Sequence, residues 1–182
     1  MLKEQKAAQT VEVWAMDEAR IGLQPILRRV WAKRCERPTA VVAPKYEWLW
    51  LYAAVHPASG RVFWLILPRL NRSCVEIFLR EFAAAHAGSA DKQIVLVWDG
   101  APGHRATESG LPPGITLARL PPYTPELNPA ERLWSKVKEA VANKNHQTLD
   151  ELENKVVERC EQLNKEKERI KSMTRYYWWS FD

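Results

Sequence analysis

The stretch Lys92-Gln-Ile-Val-Leu-Val-Trp-Asp99 decides the fold class of this chain. A short apolar run that ends at a turn signal predicts a strand buried on both faces, as in a parallel sheet. The run closes at Asp99-Gly100, which places an acidic side chain at the carboxyl end of this strand. A helix is predicted just before it, because apolar residues recur at helical spacing up to His86 and Asn71 or Ser73 supplies an N-cap.

The residues that precede this helix predict an antiparallel start. Val11–Met16 alternates and is rich in β-formers, so we expect a strand that delivers Asp17 at its carboxyl end. Trp48–His56 and Arg61–Leu67 are apolar runs separated by Pro57-Ala-Ser-Gly60, which is typical of a hairpin. Together they predict three strands before the crossover helix.

The residues after Asp99 predict one more strand and two helices. Ile115–Leu120 is the strand candidate. Asn128 as N-cap, with Pro129 first and Glu131 third in the helix, predicts a helix start. Thr148 and Glu151 form a capping box for a long last helix. That helix carries apolar residues spaced by seven, which weakly indicates a coiled-coil partner, at Leu149, Val156, Leu163 and Ile170.

Three carboxylates stand at segment boundaries: Asp17, Asp99 and Glu131. Hard divalent cations take oxygen ligands, and two of them about 3.5–4 Å apart can hold the attacking and leaving oxygens of a phosphodiester displacement. Each acid also has a simpler interpretation. Asp17 can merely end a strand, with Glu18 as a competing ligand, Asp99 can belong to a turn, and Glu131 can be a capping partner.

Composition narrows the class of protein. The chain has 182 residues, of which 46% are hydrophobic, and a net charge of +5, which fits one domain with a real core. A basic cluster either binds a polyanionic partner or forms a solvated face. Within it, Arg29–Lys33 is a further candidate for a short extended segment. Its cations are Arg28, Arg29, Lys33, Arg34 and Arg37.

The three cysteines and the apolar runs exclude other classes. Cys35, Cys74 and Cys160 are far apart and form no Cys-x-x-Cys pair, so neither a disulfide framework nor a zinc site is indicated. The N-terminus has no apolar signal region, and the run Trp48–Val55 is too short to span a bilayer. We therefore expect a cytoplasmic protein that has no membrane partner.

Three motif blocks resemble those of the DDE transposases, a superfamily of endonucleases. They are Met16–Arg20, Trp98–His104 and Pro122–Trp134, in this order. More narrowly, they are similar to the mariner-type superfamily and its bacterial insertion-sequence branch numbered six-thirty. The resemblance covers about residues 11–143 and implies a ribonuclease H-like fold of the α/β class, with a mixed five-stranded sheet and flanking helices.

The resemblance also implies an activity. Asp17, Asp99 and Glu131 would be a catalytic triad that binds two Mg²⁺ or Mn²⁺ ions, with Asp17 bridging them. His104 would contact a phosphate, although a histidine in a turn is an equal alternative. The reaction would be DNA cleavage at element ends followed by transfer of the 3′-hydroxyl to target DNA. The partners would be the element ends and the target DNA, with the basic cluster and His104 as DNA-binding residues. A homodimer is compatible with this assignment. So is an association with the bacterial nucleoid.

The domain expected from this resemblance is a single catalytic domain over residues 1–182. Its core would be about residues 11–143, followed by a C-terminal long helix and aromatic tail over residues 148–182. An N-terminal helix-turn-helix is expected to be absent, so we expect little preference for DNA sequence. The alternatives are a ribonuclease H-like nuclease without strand transfer and a catalytically silent remnant that binds nucleic acid.

Overall fold

The computed structural model describes residues 10–39, 45–87, 92–99 and 110–179. The strands are β1 (Thr10–Gly22), β2 (Trp48–His56), β3 (Arg61–Leu67), β4 (Lys92–Trp98) and β5 (Ile115–Arg119). The helices are α1 (Arg72–His86), α2 (Glu131–Val141), α3 (Leu149–Lys165) and α4 (Lys167–Thr174). Short 3-10 turns cover Pro125–Leu127 and Tyr177–Trp179. Within these residues, no helix has the length and apolar character needed to cross a membrane.

The five strands form one mixed sheet in the order β3-β2-β1-β4-β5. β1 and β2 are antiparallel, as are β2 and β3, whereas β4 runs parallel to both β1 and β5. The predicted mixed five-stranded sheet is therefore confirmed. The hairpin and the buried strand β4 are confirmed with the predicted bounds, because their apolar runs and turn residues are local signals.

Helices cover both faces of the sheet, and the alternation along β1 assigns its side chains to two cores. Trp14 and Met16 pack with Phe78 and Phe82 of α1 on one face. Val13 and Ala15 pack on the other face, against apolar residues of α2, α3 and α4. Since successive residues of a strand point to opposite faces, the Asp17 side chain lies on the same face of the sheet as those of Val13 and Ala15.

The predicted last helix is divided in two at Glu166, where α3 ends and α4 begins. The residues spaced by seven are used inside the domain: Val156, Leu163 and Ile170 are each 0% exposed and belong to the core beneath α2. The hairpin turn packs against the start of α4. A Cβ atom at Gly60, whose φ is +70°, would lie 1.9 Å from the carbonyl oxygen of Lys167. Only glycine fits this approach.

Two strand predictions are wrong. β1 does not end at Met16 but continues to Gly22, because β2 pairs with it as far as Gly22↔Trp48 after the pairing with β4 has ended. Arg29–Lys33 forms no strand, since this segment has no partner strand in the sheet.

Candidate active site

Asp17 lies on β1 just beyond the part of this strand that pairs with β4. The last parallel pair is Ala15↔Val97, so two further residues along each strand bring Asp17 and Asp99 to corresponding positions at one edge of the β1–β4 ladder. β4 ends at Trp98, and Asp99 is exposed directly after it. The register therefore places these two acids at the same end of neighbouring strands, where the chain leaves β4.

Asn128 joins the start of α2 to this edge. Its side chain is almost wholly buried, at 2% exposure. Its Nδ2 donates to the carbonyl oxygen of Met16 at 2.9 Å, and its Oδ1 accepts from the backbone N–H of Ala130 at 3.1 Å. The first bond spans 112 positions of the chain and holds the residues before α2 directly against β1 beside Asp17.

The predicted helix start is wrong in detail, because the Asn128 side chain bonds to β1 and does not cap the helix. The N-cap position of α2 is Ala130, and Glu131 is the first helical residue rather than the third. The chain enters the helix through backbone hydrogen bonds between residues three positions apart. The N–H of Glu131 donates to the carbonyl oxygen of Asn128, and the N–H of Arg132 donates to that of Pro129. The amide of Asn128 is thus used across the fold.

Trp134 contacts Asp17 directly. Its indole Nε1 donates to Oδ2 of Asp17 at 2.6 Å, and the Trp134 side chain is buried at 5% exposure. Trp134 follows Glu131 by three residues, so both belong to the first turn of α2. One helix start therefore supplies both an acid and the hydrogen-bond donor that holds a second acid.

Negative charge accumulates around the Asp17 carboxyl. Burial, together with the negative charges of Glu131 and Glu18, raises the pKa of Asp17 to about 8, although the Trp134 hydrogen bond acts in the opposite direction. A cation would relieve this accumulation of negative charge. The donors are carboxylate oxygens, the ligands that hard divalent cations such as Mg²⁺ prefer, so the residues fit such an ion.

Asp17 and Glu131 lie near each other, but Asp99 does not complete a three-ligand cluster with them. Among residues 10–39, 45–87, 92–99 and 110–179, no three His, Cys, Asp or Glu side chains lie close enough together to hold a metal ion as they stand. The fold brings Glu131 near Asp17, while Asp99 stands exposed at the end of the neighbouring strand. His104 lies outside the described residues.

Glu18 belongs to the opposite face of the sheet. It pairs with Tyr52 in the β1–β2 register, and Tyr52 packs in the core beneath α1. Burial raises the pKa of the Tyr52 phenol, and the charge of Glu18 raises it further. Strand alternation therefore argues against Glu18 as a competitor of Asp17 for a ligand on the α2 face.

The family model described as "DDE superfamily endonuclease" matches residues 12–153. The chain belongs to this family. Asp17, Asp99 and Glu131 all lie within the matched residues, as do Asn128 and Trp134.

One curated relative is an uncharacterized protein, y4pE/y4sA, of Sinorhizobium fredii. It is 34% identical over 87 residues, which are 48% of this chain and 63% of the relative. This chain therefore covers less than two thirds of the length of that relative.

The DDE endonuclease chain has the ribonuclease H-like fold of solved transposase cores. It is similar to the Mos1 mariner paired-end complex with Mn, with a TM-score of 0.60 and 16% identity over 91% of this chain and 56% of the other. The Mos1 paired-end complex with left transposon end has a TM-score of 0.58 and 15% identity over 96% and 58%. The catalytic domain of Mos1 has a TM-score of 0.54 and 13% identity over 91% and 84%. This chain thus spans less than two thirds of the first two Mos1 chains.

The predicted DNA-binding cations lie on an exposed segment that we call the basic arm, residues 27–37. The base of the arm is fixed to α2 and the residues after it. The Arg28 guanidinium donates to the carbonyl oxygen of Ser135 at 3.1 Å, and the Asn143 side chain bonds both the N–H and the C=O of Arg28. Beyond this base, Trp31 is fully exposed.

Sequence reasoning missed three residues of this region. The sequence indicates only a capping role for Asn128 and no site role for Trp134 or Tyr176. In the structure, the Tyr176 hydroxyl accepts from Nε of Arg132 at 2.9 Å, and Arg132 also lies over the Tyr176 ring. The tail therefore packs beside the first turn of α2. The presence of Asn and Trp within the motif around Glu131 was the available signal.

Proposed function

We propose that this chain is the catalytic domain of a transposase that cuts DNA strands and joins the liberated 3′-hydroxyl to target DNA with divalent metal ions. The observation that carries the proposal is the partly buried Asp17 beside Glu131, at the sheet edge where Asp99 ends β4. Family membership over residues 12–153 supports it. So do the similar Mos1 structures, which are complexes of that protein with Mn and with a transposon end.

Asp17, Asp99 and Glu131 would hold two Mg²⁺ or Mn²⁺ ions. When bound, the ions would neutralise the carboxylates and supply Lewis acidity to the phosphodiester. The protein itself positions the three carboxylates. β1 and the start of α2 hold Asp17 and Glu131 together, and the end of β4 brings Asp99 to the same edge.

The reaction is proposed as two phosphodiester displacements. In cleavage, the oxygen of water attacks phosphorus and the bond from phosphorus to the 3′-oxygen breaks, leaving a 3′-hydroxyl and a 5′-phosphate. In transfer, that 3′-hydroxyl attacks a phosphodiester of the target and displaces the target's own 3′-oxygen. Neither step needs a covalent enzyme intermediate.

The basic arm is proposed to contact the DNA. Ser135, which accepts from Arg28, follows Glu131 by four residues and so lies one helical turn along the same face of α2. The arm therefore leaves the protein body about one turn from the proposed site. Its exposed cations can contact phosphates, and the exposed ring of Trp31 has a face on which a base can stack.

The test is a set of amide variants assayed for nicking of supercoiled plasmid in Mg²⁺ or Mn²⁺. Asp17→Asn, Asp99→Asn and Glu131→Gln are expected to lose cleavage, because an amide carries no charge and is a poorer metal ligand. Asp150→Asn is the matched control, since Asp150 is exposed in the first turn of α3. Undiminished cleavage by Asp99→Asn, with an unchanged circular dichroism spectrum, would refute the proposed triad.

A second assay separates strand transfer from hydrolysis. Oligonucleotide ends with a free 3′-hydroxyl are mixed with plasmid and metal, and joined products are measured. Cleavage without joining would favour a ribonuclease H-like nuclease. Absence of both activities, in a folded chain that binds DNA, would favour a silent nucleic-acid-binding domain.

A further inference from the structure

We infer that Trp134 is a positioning residue for the metal ions, acting through Asp17. Its indole N–H fixes the rotation of the Asp17 carboxylate, so that this side chain is already oriented when a cation arrives. The inference rests on the proposed function, and it assigns to a buried tryptophan a role that its apolar position in α2 does not indicate.

The contact has the geometry of a strong hydrogen bond. The distance from Nε1 of Trp134 to Oδ2 of Asp17 is 2.6 Å, shorter than the range of about 2.7–3.2 Å that is usual for N–H···O bonds. Buried indole N–H groups usually have an acceptor, and Asp17 is the acceptor of Trp134. Each carboxylate oxygen has two lone pairs, so Oδ2 can accept this bond and still bind a cation.

Trp134 is itself held rigidly. It is 5% exposed, and its ring meets that of Trp64 edge to face, with 6.4 Å between the ring centroids. It lies on the helical turn that begins at Glu131, and Asn128 ties the residues before this turn to the backbone of Met16. The spacing between the Asp17 and Glu131 carboxylates is therefore set by a single helix start with two attachments to β1.

The chemistry of the donor matters as much as its position. An indole N–H is a donor without formal charge, so it orients the carboxylate without neutralising it. A lysine or arginine here would pair with Asp17 and repel an incoming cation. A neutral, rigid donor thus keeps the negative charge available. Partners of this kind typically change metal affinity by about 10–100-fold when they are removed.

The chain offers a matched control on the same strand. Trp14 is also buried, and its indole Nε1 donates to Oε2 of Glu12 at 2.9 Å. Trp14 belongs to the opposite face of the sheet, in the core beneath α1, and Glu12 is paired with Arg61 and Lys92. Replacement of Trp14 by Phe removes the same kind of bond without touching Asp17.

The experiment measures Mn²⁺ binding to the full chain by electron paramagnetic resonance, alongside the rise in Tm that Mn²⁺ produces. Trp134→Phe is expected to weaken Mn²⁺ binding at least tenfold and to regain plasmid nicking at high Mn²⁺. Trp14→Phe is expected to lower Tm without metal but to bind Mn²⁺ like the wild type. If Trp134→Phe does not fold, benzothienylalanine at position 134, an isostere with sulfur in place of N–H, removes the donor alone.

Each outcome bears on one claim. A Mn²⁺ affinity within threefold of wild type, for Trp134→Phe or for the sulfur isostere, overturns the inference. If Asp17→Asn loses Mn²⁺ in that same experiment, the proposed function stands without it. Equal weakening in Trp14→Phe would show a general loss of rigidity and would also overturn the inference. A wild-type chain that binds no Mn²⁺ overturns both claims.

Discussion

Replacement of Asn128 by Ala removes the attachment between the start of α2 and β1. The carbonyl of Met16 and the N–H of Ala130 each lose a partner, and both residues are 0% exposed, so water does not replace the amide. A buried polar group left without a partner costs about 1–3 kcal/mol. Two such groups give an expected loss of about 2–6 kcal/mol in the free energy of unfolding. That is a large share of the roughly 5–15 kcal/mol typical of a domain.

Asn143 provides the comparison. Its side chain also makes two hydrogen bonds, to the N–H and C=O of Arg28 at 2.8 and 3.1 Å, but Asn143 is exposed. Its φ is +56°, so Asn143→Gly removes the side chain without straining the backbone. Since water can satisfy the released groups, the expected cost is below about 1 kcal/mol.

Urea unfolding followed by circular dichroism and by tryptophan fluorescence measures both costs. The slope of free energy against urea should be the same for both variants and the wild type, which would show that the midpoints report stability. If Asn128→Ala and Asn143→Gly lose equal stability, the assignment of Asn128 as a buried attachment is refuted. Asn128→Ala should also nick plasmid more slowly at a temperature where it is fully folded, because Glu131 is no longer held against β1.

Three other perturbations have defined outcomes. Stability should fall as the pH decreases from about 6.5 to about 4, because burial lowers the pKa of His56 to about 4 and the unfolded chain takes up the proton first; His56→Gln should show a shallower fall in urea midpoint over that window. Gly60→Ala should lower Tm by several degrees, because its Cβ would collide with the Lys167 carbonyl, whereas Gly110→Ala, with nothing within 4 Å, should leave Tm unchanged. Removing two arginines from the basic arm should reduce the slope of log affinity for duplex DNA against log salt by up to about 1.8, while removing two from α1 should not, and equal slopes would place the DNA elsewhere. The arginines are Arg29 and Arg34 in the test and Arg72 and Arg80 in the control.

Local signals predicted most of the elements. The hairpin, the buried strand β4 and the cap of the last helix were predicted correctly, because each depends on residues within a few positions of one another. The side chain of Thr148, for example, accepts from the N–H of Glu151 three residues later. The order of the acids along these elements was also readable from the sequence, and with it the resemblance to the family.

The tertiary structure alone decided what surrounds those acids. The bond from Asn128 to Met16 joins residues 112 positions apart, and the bond from Trp134 to Asp17 joins residues 117 positions apart. The raised pKa of Asp17 depends on burial and on Glu131, which reaches it only after α2 has packed. Helical periodicity marks Trp134 as apolar and buried but does not show where its N–H points. Direction and distance between remote segments follow from the packing of helix on sheet, which has no signature in local sequence.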